Sequence, residues 1–384
     1  MWSLGPTQGL LDLLGHPERH FPAVHIGGTN GKGSTAAFTA AELAARGFRV
    51  GVYTSPHLVS PRERIVVDGV PISPDAFAEW TTFLKAHIER LDASFFEATT
   101  AIALADLAAR GVDIAVLEVG LGGRLDSTNV ITPLVSVVTK IALEHTDYLG
   151  HDLGGIAREK AGIAKPGVPF VTGERDPAMQ RVLRDEAERL GASRVVLADT
   201  QRAPTRALGL RGVHQHANAW VALAALNELP APFGPVGECW PESFERAYIA
   251  GRFEVRGRWI FDVAHNPDGM AVLVATLKAE RPARPLHALV GIRNDKEWEA
   301  MLATLAPAVD RLILTVAPSV APERRWLPEE IALWSQARRG VVWEPDFASA
   351  LDLVQQGAET MLVTGSFHTV GDALARLPGF AALD

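Results

Sequence analysis

Short apolar runs rich in valine and isoleucine alternate along this chain with longer segments of mixed polarity. Runs that are apolar throughout predict strands buried on both faces, and the segments between them predict the flanking helices of a parallel sheet. The first part of the chain predicts strands at 24–27, 50–54, 114–119 and 135–141, with helices at 34–46, 74–91 and 98–109. A helix at 152–164, a strand at 169–172, a charged helix at 177–190, a strand at 195–198 and a helix at 215–229 continue the alternation. Pro230, Pro232, Gly234, Pro235 and Gly237 then interrupt it. Beyond them a shorter series resumes, with strands at 259–263, 286–291, 311–316 and 361–364 and helices at 269–279, 297–306, from 329 and at 347–355. The pattern predicts an α/β fold: a doubly wound, mainly parallel sheet followed by a smaller C-terminal α/β domain. The boundary is expected near Gly251, giving domains of 1–250 and 251–384.

The first strand runs into Gly27-Gly28-Thr29-Asn30-Gly31-Lys32-Gly33-Ser34. Glycines let successive backbone N–H groups converge on an anion, a lysine adds a mobile positive charge, and the helix that follows brings its positive end to the same point. This predicts a cradle for a nucleotide triphosphate. It is a variant of the common phosphate loop, with Ile26 where the first glycine would stand and Gly33 after the lysine.

In open α/β sheets ligands gather beyond the carboxyl ends of the strands. Those ends deliver Ser55, Glu118 and His145 in addition to the phosphate loop. A hydroxyl, a carboxylate and a neutral imidazole beside a triphosphate suit Mg²⁺, which takes few protein ligands and keeps water and phosphate oxygens. Each also has an ordinary explanation: Ser55 as a turn residue before Pro56, Glu118 as a surface acid, His145 as a satisfied loop histidine.

Composition narrows the field. With 384 residues and 47% hydrophobic content the chain can build two cores. Its 37 Lys+Arg against 45 Asp+Glu, a net charge of −8, argue against a general binder of nucleic acid or anionic membranes. Cys239, the one cysteine, excludes an intrachain disulfide, a C-x-x-C redox motif and a thiolate zinc site. The opening Met1-Trp2-Ser3-Leu4-Gly5-Pro6 has no basic n-region, and no apolar run is long enough to span a bilayer, so a cytoplasmic protein is expected.

Several further motifs occur in a fixed order: Thr54-Ser55-Pro56-His57-Leu58, Glu63-Arg64-Ile65, Glu118-Val119-Gly120-Leu121-Gly122-Gly123-Arg124-Leu125-Asp126, Glu159-Lys160-Ala161-Gly162-Ile163, Gly212-Val213-His214-Gln215 with Asn218-Ala219, Gly251-Arg252-Phe253, and Asp262-Val263-Ala264-His265-Asn266-Pro267. Together with the phosphate loop, they make the chain resemble the folylpolyglutamate synthase and dihydrofolate synthase family, a branch of the Mur ligases. The resemblance spans nearly the whole sequence. It implies ATP-dependent amide formation, in which a carboxylate of dihydropteroate or a reduced folate is phosphorylated and the amine of L-glutamate displaces phosphate. Such chemistry needs charge neutralisation more than acid–base groups.

The resemblance also implies roles. Gly28, Thr29, Asn30, Gly31, Lys32, Gly33 and Ser34 would hold the phosphates, Asn218 would contact adenine, Arg252 the γ-phosphate and Asp262 the ribose. Ser55, Glu118 and His145 would hold Mg²⁺. Lys160 would be carbamylated and present an oxygen to a second Mg²⁺ or to the acyl phosphate. Making its neutral amine at pH 7 from an ordinary pKa near 10.4 costs about 4.6 kcal/mol, which burial or a metal must offset. On the folate side Arg64 would pair with a carboxylate, Phe96 stack on the pterin and Asp126 bind its polar edge. His265 and Ser366 are weaker candidates for ATP or glutamate. Taken alone, Phe96 reads more often as core, Asn218 as helix surface, Arg64 and Arg252 as ordinary surface charges, Asp126 and Asp262 as caps, and His265 and Ser366 as turn residues. Glu144 and Ala142 depart from the family's usual aspartate and glycine beside His145, and the chain is short between 195 and 212.

Two other readings compete: a Mur-type ligase acting on a peptidoglycan precursor, and a regulatory NTPase. No N-K-x-D or T-K-x-D guanine-reading motif supports the latter. A monomer is expected, working by closure of the two domains on small-molecule substrates.

Overall fold

The computed structural model describes residues 3–143 and 146–379, and these residues form two compact units. The first comprises 1–57, 61–209 and 215–248; the second takes 58–60, 210–214 and the chain from Ile249 onward.

Among the described residues the first unit is built on eight strands: β1 (Ala23–Gly27), β2 (Val50–Tyr53), β3 (Ile65–Val67), β4 (Val70–Pro71), β5 (Ile114–Glu118), β6 (Val135–Val138), β7 (Phe170–Thr172) and β8 (Val195–Leu197). Their order is β4-β3-β2-β5-β1-β6-β7-β8. From β2 to β8 every pairing is parallel, as the apolar runs require, and the central strands β1, β5 and β6 are buried at every position. β3 and β4 add an antiparallel edge joined at Asp68-Gly69, both with positive φ, the geometry of a two-residue hairpin turn.

Several boundaries differ from the sequence expectation, three of them in elements that border the site. The helix expected from 98 begins at Phe95, because Ser94 and Glu97 form a reciprocal capping box. The helix of the phosphate loop begins at Lys32 rather than 34. β6 stops at Val138 rather than 141, because the next residues turn into the phosphate loop: the Thr29 N–H donates to the Lys140 carbonyl at 2.7 Å, and Thr139 Oγ1 donates to the Asn30 carbonyl at 2.8 Å.

The second unit carries β9 (Glu254–Arg256), β10 (Trp259–Phe261), β11 (Leu286–Val290), β12 (Arg311–Leu314), β13 (Val341–Trp343) and β14 (Thr360–Thr364), in the order β13-β12-β11-β14-β10-β9. All pairings are parallel except β9 with β10. Its core includes Leu273, Leu286, Met301, Leu312 and Leu362. Among the described residues no helix is long and apolar enough to cross a membrane.

Candidate active site at the carboxyl ends of the strands

The parallel register brings the carboxyl ends of β1, β5 and β2 side by side, with Ile26 opposite Glu118 and Tyr53 opposite Leu117. Glu118 is 4% exposed, and its Oε2 accepts the Ser55 N–H at 3.3 Å. Two of the three expected metal ligands therefore meet; the third, His145, lies outside the described residues. Among the described residues no three His, Cys, Asp or Glu side chains cluster as a metal site. One carboxylate with an adjacent hydroxyl residue nonetheless suits Mg²⁺, whose remaining positions are filled by water and phosphate oxygens.

The phosphate loop has the backbone an anion cradle needs. Gly28 and Gly31 have φ of +132° and +93°. A side chain on Gly31 would run into Asn218 Oδ1, which brings Asn218, on the helix His214–Glu228, against the loop. The Asn218 amide in turn donates to Gln215 Oε1 at 2.8 Å. Lys32 Nζ donates to the Thr29 carbonyl at 3.1 Å. Thr29 Oγ1 bonds both the carbonyl and the N–H of Ala142, so the segment leading to residue 144 is pinned to the loop. Ser34 is buried in the first turn of the helix Lys32–Ala45.

Lys160 is 3% exposed at the end of the helix Leu153–Ala161, and its Nζ donates to the Gly28 carbonyl at 2.9 Å. A lysine that a sequence reader would leave in solvent thus reaches the floor of the phosphate loop.

On the other side of β5, Arg64 is 8% exposed. Its Nε donates to His57 Nδ1 at 2.9 Å, and its guanidinium carbon sits 5.3 Å from the centre of the Phe95 ring. Burial lowers the Arg64 pKa, opposed by Tyr53 and then by Glu118 and Glu63. Phe96 is half-buried, packed on the backbone of Gly120 and 6.1 Å from the Tyr53 ring, whereas Phe95 stays 57% exposed. His57 and Phe95 were absent from the sequence candidates. The motif Thr54-Ser55-Pro56-His57 flagged the first, but nothing in sequence tells which of two adjacent phenylalanines faces out.

Asp126 is buried, and among the described residues every bond to its carboxylate comes from its own loop. Oδ2 accepts the Gly120 and Leu121 N–H groups at 3.0 and 2.9 Å, and Oδ1 accepts the Thr128 N–H at 2.9 Å and its hydroxyl at 2.5 Å. Burial raises the Asp126 pKa and these donors oppose the rise.

The second unit gathers Arg252, Asp262, His265 and Ser366 around the carboxyl ends of β10 and β14. Asp262 accepts the N–H groups of Phe253 and Ala264, each at 2.9 Å; burial raises its pKa, opposed first by Arg252. The Arg252 guanidinium lies 5.4 Å from the Phe367 ring centre, as does the His265 ring. His265 Nδ1 bonds the Val263 carbonyl at 2.9 Å. Ser366 caps the helix Phe367–Arg376 by accepting the Thr369 N–H and donates to the Gly291 carbonyl at 2.9 Å.

His25, wholly buried in β1, has its pKa lowered to about 3 by burial and then by Lys165. The unfolded chain protonates this imidazole below about 6.5 and the folded chain does not, so its contribution to stability is present above that pH and is lost on acidification towards 3. Stability is expected to fall by up to about 1.4 kcal/mol per pH unit across that window. Urea unfolding of the wild type and His25→Gln between pH 7 and 4 checks this; equal pH slopes for the two proteins would refute it.

Comparison with known proteins bears on this geometry. Residues 26–200 match the Mur ligase middle domain, and 251–367 match the Mur ligase, glutamate ligase domain. A dihydrofolate synthase/folylpolyglutamate synthase of Bacillus subtilis is 32% identical over 422 aligned residues, covering 97% of this chain and 94% of the relative. The solved Mycobacterium tuberculosis folylpolyglutamate synthase complexed with ADP is 34% identical, with a TM-score of 0.86 over 99% of this chain and 95% of that one. A bifunctional folylpolyglutamate synthase/dihydrofolate synthase structure with Mn, AMPPNP and L-glutamate bound is 31% identical, with a TM-score of 0.80 over 98% and 94%. With both ligase domains present in order and likeness running the length of these enzymes, the chain belongs to the dihydrofolate synthase/folylpolyglutamate synthase family.

Proposed function

We propose that this enzyme is an ATP-dependent amide ligase that joins L-glutamate to dihydropteroate, to reduced folates, or to both. A carboxylate oxygen of the pteroyl acid attacks the γ-phosphorus of ATP and ADP departs. The glutamate amine then attacks the acyl carbon, phosphate leaves, and the amine gives up its proton as the amide forms. The observation that carries this reading is the convergence of Gly28, Lys32 and Lys160 on one loop, beside the Ser55–Glu118 pair.

In this reading the backbone from Gly28 to Ser34 and the Lys32 ammonium bind the triphosphate, and Asn218, Arg252 and Asp262 complete its recognition. Ser55, Glu118 and His145 hold Mg²⁺, which when bound neutralises the charge of the transferring phosphoryl group. Arg64, Phe96 and Asp126 belong to the pteroyl side, and His265 and Ser366 to the glutamate side. Lys160, buried against a carbonyl, is a candidate for carbamylation and for service to a second Mg²⁺. A domain division at about residue 250, a monomer and a cytoplasmic setting belong to the same proposal.

Phosphate release tests the reaction. Turnover of ATP is expected to need the pteroyl acid and L-glutamate together, with mass spectrometry finding a product one glutamyl residue heavier. Rapid hydrolysis with neither substrate present would instead mark a regulatory NTPase.

A further inference from the structure

A buried hydrogen-bonded chain runs from the strand that feeds the phosphate loop to the glycine loop after Glu118. His25 Nε2 lies 2.7 Å from Thr128 Oγ1, which lies 2.5 Å from Asp126 Oδ1. The Asp126 carboxylate already accepts three backbone N–H groups and accepts here too, so the single hydroxyl proton of Thr128 points to Asp126 and its oxygen accepts from His25. The proton of neutral His25 therefore sits on Nε2. That leaves Nδ1 as a buried acceptor, and it has no hydrogen-bond partner among the described residues. An unpaired buried acceptor is unfavourable, and a leucine would fill this strand position without it. The direction of the chain makes sense of the histidine. At its far end Asp126 Oδ2 holds the Gly120 and Leu121 N–H groups, and the Phe96 ring packs on Gly120.

We infer that His25 and Thr128 are positioning residues for the acyl substrate: they orient the Asp126 carboxylate, and through it the Gly120-Leu121 backbone on which Phe96 rests. The inference rests on the pteroyl side of the site lying at Phe96 and Asp126, as proposed above. Neither His25 nor Thr128 is exposed enough to touch substrate, at 0% and 1%.

Two readouts separate this role from simple core filling. Thr128→Val keeps the volume and removes the hydroxyl; Thr128→Ser keeps the hydroxyl. His25→Leu removes the donor; in His25→Gln the amide nitrogen stands the same number of bonds from Cβ as Nε2. Hydrogen exchange in the peptide spanning 119–126 is expected to speed up in Thr128→Val and His25→Leu, and to return to near the wild-type rate in Thr128→Ser and His25→Gln. In steady-state kinetics the first pair should raise KM for dihydropteroate by about tenfold, the scale of one hydrogen bond to a charged group, while KM for ATP moves by less than about threefold. Unchanged exchange, exchange that the conservative variants fail to restore, or equal rises in both KM values would overturn the inference. Exchange that responds as expected in a protein that does not act on pteroyl acids would leave the positioning chain standing and refute the substrate instead.

Discussion

Replacing Glu118 by glutamine is expected to lower ligation by about a thousandfold while leaving the fold intact. Glutamine has nearly the same shape, keeps an oxygen that can accept the Ser55 N–H, and can occupy a site that is 4% exposed at the end of a central strand. What disappears is one negative charge beside the phosphate loop. In the proposed reading that charge holds Mg²⁺, and losing such preorganised neutralisation of the transferring phosphoryl group typically raises the barrier by about 3–4 kcal/mol, where each 1.4 kcal/mol is a factor of ten. Arg64, on which Glu118 also acts, keeps the Glu63 carboxylate and a hydrogen bond to the neutral Tyr53 hydroxyl, so its buried guanidinium is not left uncompensated. The checks are kcat from phosphate release, the Mg²⁺ dependence of the rate, and a thermal midpoint within a few degrees of wild type. Wild-type kcat in Glu118→Gln would remove the carboxylate from the mechanism.

Both sheets were legible because the central strands are predominantly apolar runs in which single polar residues, such as His25 in β1, Ser136 in β6 and His287 in β11, do not break the pattern of a doubly covered parallel strand. Four short strands at or next to the sheet edges, β3, β4, β9 and β13, were not. β3 and β4 are three and two residues long, yet Ile65-Val66-Val67 followed by Asp68-Gly69 is a hairpin signal available in the sequence. β9 and β13 are three-residue strands whose positions are mostly half-exposed or exposed, too short for periodicity to register. The helices Gly5–Leu13 and Phe367–Arg376 were also missed, although Ser366 is a good N-cap residue for the second.

In the site, sequence motifs gave the residues and the fold gave their partners. Nothing in the string of letters ties Lys160 to the Gly28 carbonyl, 132 positions away, or Thr29 to Ala142, 113 away. The bonding of Asp126 changes its reading most. A carboxylate that looks like a free ligand in Arg124-Leu125-Asp126 spends its oxygens on Gly120, Leu121 and Thr128, so any contact with substrate is made by a group already held in place.

The second large effect concerns Gly28, where alanine is expected to weaken ADP binding by at least about a hundredfold. Two independent obstacles meet there. The backbone has φ of +132°, a conformation that L side chains rarely adopt. A Cβ would also overlap Thr139 Oγ1 and stand 2.9 Å from the Thr139 amide nitrogen. That nitrogen cannot retreat, because its N–H donates to the Gly27 carbonyl at 3.0 Å, and moving Oγ1 breaks its bond to the Asn30 carbonyl. Strain and overpacking of about 1–3 kcal/mol each fall on the segment that must present its N–H groups to the phosphates, and about 2.8 kcal/mol is already a hundredfold in affinity. Thr139→Ala added to Gly28→Ala removes the hydroxyl overlap but neither the amide contact nor the φ, so it should restore only part of the binding. Gly47→Ala is the control: φ is +89° and nothing lies within 4 Å, so it should lose about 1 kcal/mol of stability and bind ADP normally. Calorimetric titration of ADP into the four proteins decides the matter. Normal affinity in Gly28→Ala would mean that this loop does not hold the phosphates.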